Sequence, residues 1–138
     1  PMELIECTKV HIQDALNSPI LPQNVKNDLK DSGETFLSVY SKKSKSLRFF
    51  PIKDENIYWL KIAIDSFNPE ISGKILAKLS SLISQFVYST GVCVSKSECF
   101  WDGIILESAF KNSKENLIKT LEEIPNVINV TLKPVAKE

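Results

Sequence analysis

Over residues 57–65 the apolar positions alternate. Tyr58, Leu60, Ile62 and Ile64 fall on one side, and Trp59, Lys61, Ala63 and Asp65 on the other. A few residues later Ile71, Ile75, Leu76, Leu79, Leu82, Ile83 and Phe86 recur at three- and four-residue steps. A period of two marks a half-buried strand, and a period of 3.6 marks one face of an amphipathic helix. This switch of period constrains the fold more than any other feature, because the chain then makes it a second time.

Residues 87–95 ("VYSTGVCVS") read as a strand with Gly91 as a bulge. After a polar turn, residues 99–107 ("CFWDGIILE") read as another. Leu117, Ile118, Leu121 and Ile124 form a second helical stripe. Residues 127–135 form a last strand with Ile128, Val130 and Leu132 on one face. The order β-α-β-β-α-β predicts two helices against one face of a four-stranded antiparallel sheet, an α+β ferredoxin-like arrangement. Its other face would carry Trp59, Ala63 and Val127. That face is too apolar to leave wet, so a second copy or the N-terminal part is expected to cover it.

Local signals fit these elements. Asn68 is a good N-cap, because a residue before proline avoids the helical region and Pro69 suits the first helical position. Asn112 and Glu115 have capping-box spacing, Glu115 and Lys119 pair at i,i+4, and Pro125-Asn126 ends the second helix. Gly73 lies within the first helix, where glycine costs about 1 kcal/mol relative to alanine. Either close helix–strand packing or a backbone that meets a ligand would account for it.

The seam at residues 51–56 ("PIKDEN") divides the chain into residues 1–53, punctuated by prolines, and residues 56–138, with the longer periodic segments. The 138 residues are 43% hydrophobic and 25% charged, a folded rather than disordered composition. Eight Lys/Arg stand against six Asp/Glu in residues 1–53, and nine against eleven in residues 54–138. The slight basic excess favours the N-terminal part as the one that meets an anion.

No apolar run is long enough to span a membrane, and the opening residues do not read as a secretory signal. The three cysteines, Cys7, Cys93 and Cys99, are odd in number and have no C-x-x-C spacing. They are expected as reduced thiols in a cytoplasmic protein, although a Cys93–Cys99 pair across a hairpin is geometrically open.

Catalytic and cofactor motifs are missing. There is no G-x-x-x-x-G-K-[ST] and no G-x-G-x-x-G. His11 is the single histidine, so neither a zinc site nor a Ser-His-Asp arrangement is expected. Glu122-Glu123 are adjacent on a helix and therefore diverge. No enzyme, metal or cofactor is anticipated. Trp59 and Trp101 would serve packing or an interface, or stack on a ring.

With the elements placed, residues 57–136 resemble the ACT domain, a small regulatory module. That family ends its first strand in an acid, followed by Pro-Gly and a helix. Here Asp65 matches the acid, and Pro69 and Gly73 supply the proline and glycine, separated. The closing "NVINVTLKPV" is similar to the family's last strand. The resemblance implies pairing of two copies through their sheets and an amino acid bound near the first loop, at Asp65, Asn68, Ser72 and Gly73. Helix N-terminal amides suit a carboxylate, and Asp65 suits an ammonium.

The stretch "LPQNVKNDLKDSGETFLSVYSKKSKSLRFFPI" resembles the AbrB-like swapped-hairpin domain, with Pro22, Val25, Leu29, Gly33 and Pro51 at matching places. That resemblance implies an interleaved dimer that binds DNA. The Gly-Arg common before the second strand is absent from "QDALNSPILP". His11 and the cations Lys9, Lys26, Lys42, Lys43, Lys45 and Arg48 remain as the implied phosphate contacts. Together the resemblances imply a cytoplasmic homodimeric transcriptional regulator that responds to an amino acid and contacts DNA through residues 1–53. The alternative is a regulatory or structural subunit of a separate metabolic enzyme, without DNA binding.

Overall fold

Three strands and two short helices account for the N-terminal portion of the computed structural model, which describes residues 5–135. Strand β1 (Ile5–His11) leads directly into α1 (Ile12–Leu16), and α2 (Gln23–Ser32) precedes β2 (Thr35–Ser41) and β3 (Ser46–Pro51). The strands form an antiparallel sheet in the order β1-β2-β3. His11 ends its strand as a cap, with Nδ1 accepting the Gln13 N–H at 3.2 Å. Gly33 stops α2 at φ 146°, a conformation that side chains resist. Ile12, Ala15, Leu29 and Phe36 form a small core, joined by Leu16, Leu21, Val25 and Phe49.

The chain divides into two compact units between Asp54 and Glu55. The second, Glu55–Pro134, follows the order β4 (Ile57–Ile64), α3 (Pro69–Leu82), β5 (Tyr88–Ser95), β6 (Glu98–Leu106), α4 (Lys114–Glu122) and β7 (Val127–Pro134). A 3-10 turn at Glu107–Ala109 follows β6. All neighbours in the sheet are antiparallel, in the order β5-β6-β4-β7. Among the described residues the chain is thus α+β, with two antiparallel sheets and four α-helices. No helix among them is long and apolar enough to cross a membrane.

The alternation of β4 sends Leu60, Ile62 and Ile64 into one core with Ile71, Ile75, Leu79 and Leu82 of α3 and Leu117 and Leu121 of α4. Each such side chain, once fully buried, contributes about 1.5–3 kcal/mol. Asn68 caps α3 through Oδ1, which accepts the Ile71 N–H at 3.0 Å, and Pro69 begins the helix. On the opposite sheet face the Trp59 Nε1–H donates to the buried Asp102 carboxylate at 2.8 Å, and Lys133 Nζ lies 4.6 Å over the Trp59 ring.

Several expectations are corrected. Ser113, not Asn112, caps α4: its hydroxyl accepts the Asn116 N–H at 3.1 Å. Gly91 is not a bulge, since it pairs in register with Trp101; the irregularity lies between Cys93 and Ser95. A register shift between Ala63 and Ile64 pairs Val127 with Ile64 and Asn129 with Ala63. Val127 therefore packs on the helix-side core, while Ile128 is 64% exposed. Cys93 and Cys99, directly opposed across β5 and β6, form a disulfide rather than two reduced thiols, and Cys7 is outside it.

Candidate functional site

The strand-to-helix crossover from β4 to α3 leaves a cleft on the side of α3 that faces β5. Its volume is about 340 Å³. Ile64 closes it at the end of β4, and Ser72, Ile75 and Leu76 form the helix wall. Phe67 comes from the loop, Ser89, Thr90 and Gly91 from β5, and Trp101 from β6. Thr90 pairs with Asp102, so its side chain lies on the other sheet face. The lining mixes an apolar and aromatic surface with the hydroxyls of Ser72 and Ser89 and holds no charged side chain. It suits a ligand whose inserted part is uncharged, since a bare charge entering it would lose its hydration unpaired.

Gly103 shapes the aromatic side of this cleft. The Trp101 indole lies over Gly103, two residues along the same strand. A Cβ on Gly103 would sit 2.5 Å from Trp101 Cη2, 2.7 Å from Cζ3 and 3.2 Å from Phe86 Cδ1. Phe86 meets the indole edge-on, with ring centroids 5.3 Å apart at 78°. Across the ladder, the Phe67 ring lies beside Gly91, where Cε2 and Cζ would be at an ordinary contact distance of 3.8 Å from a Cβ, so this approach does not require glycine.

The four residues implied for effector binding take different positions. Asp65 is exposed, and its Oδ1 accepts from Asn126 Nδ2 at 3.0 Å and from the Ser66 hydroxyl at 3.4 Å. Its backbone N–H donates to the Asn126 carbonyl, also at 3.0 Å. Asn68 spends its side chain on the helix cap. Ser72 alone of the four lines the cleft. Gly73 is exposed, and a Cβ on it would meet nothing within 4 Å, so close packing does not explain it.

The implied phosphate contacts are likewise spread out. Lys9 is 2.7 Å from Asp54 with its side chain only 8% exposed, and Lys42 is 3.2 Å from Glu6. Lys43 and Lys45 are exposed in the turn between β2 and β3, where Lys45 adopts φ 57°. Arg48 follows on β3 opposite Val39, and Lys26 lies on α2. His11 is engaged as the α1 cap.

No local signal in the sequence marks Phe67, Ser89 and Thr90 as parts of a site. They meet there because β5, distant in sequence from the loop after β4, runs beside α3. A pattern of periods does not specify that neighbourhood. Among the described residues no three His, Cys, Asp or Glu side chains converge as a metal site.

At the start of α4, Lys114 Nζ donates to Glu107 at 2.9 Å and lies 4.6 Å over the Tyr58 ring and 5.1 Å over Phe110. The hydrogen bond to Glu107 raises the lysine pKa above its ordinary value, against a smaller opposing effect of burial. This cluster ties α4 to β4 and carries no reactive group.

Compared with known proteins, the chain matches no family model and no curated protein to a significant degree.

Proposed function

We propose that the chain is a dimeric regulatory protein that responds to a small molecule, with an ACT-like domain over residues 56–138. The strand order β5-β6-β4-β7, with α3 and α4 on one core, supports the ferredoxin-like reading of that unit. The observation that carries the functional reading is the cleft at the β4–α3 crossover, which combines apolar walls with the hydroxyls of Ser72 and Ser89. Its uncharged lining favours an amino acid with an apolar side chain, inserted side chain first. The polar end would stay at the mouth, where solvent and loop groups can meet its charges.

In this reading residues 1–53 are an AbrB-like swapped-hairpin part that pairs two copies and contacts DNA. Effector binding stabilises one arrangement of the dimer over another, and the response is limited by the difference in affinity between the two. A panel of amino acids tests this by melting temperature and dimer fraction. A ligand at a hundred times its Kd stabilises the folded chain by about 2.7 kcal/mol. If no amino acid changes either quantity, the effector reading fails.

One observation favours a second reading, a regulatory subunit of a separate enzyme without DNA binding. Lys9 and Lys42, two of the six cations implied as phosphate contacts, are held by Asp54 and Glu6. Salt-dependent binding to duplex DNA would support the first reading, and capture of one defined metabolic enzyme the second.

A further inference from the structure

We propose that the groove between α3 and α4 is a second small-molecule site, one that takes an α-amino dicarboxylate. The groove has a volume of about 320 Å³ and is lined by Lys74, Lys78, Thr120, Glu123, Ile124 and Pro125. Its chemistry is the opposite of the first cleft's: three of these six residues carry charge, whereas none of the residues lining the first cleft does.

The charges are arranged by the helices. Lys74 and Lys78 are one turn apart on α3, so both ammonium groups project from neighbouring positions on one face. Lys74 is 3.5 Å from Glu70, but both side chains are more than half exposed, and a pair of that kind yields readily to a better-placed carboxylate. Glu123 caps the C-terminus of α4, where its N–H donates to the carbonyls of Leu121 and Lys119. That helix end carries partial negative charge, which adds to the Glu123 carboxylate in attracting a cation. Ile124 and Pro125 offer apolar surface, and Thr120 a hydroxyl.

Two ammonium groups and one carboxylate around an apolar patch mirror a ligand with two carboxylates and one ammonium on a short methylene chain. The carboxylates meet Lys74 and Lys78, and the ammonium meets Glu123. This site is independent of the effector cleft, which lies on the β5 side of α3.

The experiment is a titration of the isotope-labelled full chain with L-glutamate at low salt, followed by amide chemical shifts. Glutarate, which has the two carboxylates without the ammonium, is the control. Saturable shifts are expected at Lys74, Lys78, Thr120 and Glu123, with Kd on the order of 1 mM or tighter and rising with salt. K74Q and K78Q should each weaken glutamate about tenfold. E123Q should weaken glutamate while leaving glutarate unchanged or tighter. All three positions are on the helix surfaces, so the variants fold. Absence of saturable shifts at these amides, or unchanged binding in K74Q and K78Q, overturns the proposal. Shifts confined to Ser72, Thr90 and Gly91 also overturn it, by assigning the dicarboxylate to the first cleft. Neither result bears on an apolar amino acid in that cleft.

Discussion

Asp65 and Asn126 hold each other by two hydrogen bonds of opposite sense. The Asp65 N–H donates to the Asn126 carbonyl, and Asn126 Nδ2 donates back to the Asp65 carboxylate, both at 3.0 Å. Asn126 reaches this position with φ 76°, a conformation asparagine tolerates better than most residues. The pair fastens the loop that leaves β4 to the loop that enters β7.

Asp65→Ala should lower stability by about 1 kcal/mol, and Asn126→Gly, which keeps the backbone conformation, by a similar amount. The double variant should lose less than the sum, because each single change already breaks the side-chain bond. Urea denaturation of the four proteins checks this. Additive losses would mean that the two side chains do not act together.

Gly73→Ala should stabilise the isolated chain by up to about 1 kcal/mol. The position is in an exposed helix interior, and a Cβ there has open space. The denaturation midpoint should rise without a change in slope. A loss of stability would show that something approaches Gly73 closely in solution, such as a second copy of the chain.

Gly103→Ala should have the opposite effect, at about 1–3 kcal/mol, because the new methyl would fall on the Trp101 indole and against Phe86. Trp101→Leu in the same chain should recover part of that loss. If Gly103→Ala is neutral, the indole does not lie over the glycine.

Lys114 gives a pH prediction. Its hydrogen bond to Glu107 raises its folded pKa, so the stabilisation it provides is fully present below the unfolded lysine value. That contribution is lost as pH rises through the raised folded value. The difference in stability between the parent and Lys114→Met should therefore be constant from neutral to mildly alkaline pH and shrink only in strong alkali. A difference that shrinks below the ordinary lysine range would contradict the assignment.

The parts of this fold that could be read in the sequence are those set by local period and local sterics. The alternation from Tyr58 to Ile64, the stripe of Ile71, Ile75 and Leu79, and the Asn68-Pro69 helix start depend on neighbours within a turn or two. The corrections come from elsewhere. Asn112 and Ser113 are both competent caps, and only the path of the chain chooses between them. Ile128 faces outward because of a register shift against β4, which its own strand does not reveal. Cys93 and Cys99 are brought together by the pairing of β5 with β6, a partnership that thiol spacing left open. The cleft is the least local feature. Ser72 could be singled out from the loop it follows, but Phe67, Ser89, Thr90 and Trp101 join it only once β5 is placed beside α3.

In the proposed function this cleft receives the side chain of an apolar amino acid. Isothermal titration of the parent chain, Asp65→Ala and Ser89→Phe with apolar amino acids tests it most directly. Ser89 is exposed on β5 and lines the cleft, so a phenyl ring there would fill it without entering the core. One ligand per chain is expected for the parent, little change for Asp65→Ala because that carboxylate is already engaged by Asn126, and loss of binding for Ser89→Phe. Equal binding by Ser89→Phe, or no binding of any apolar amino acid by the parent, would contradict it.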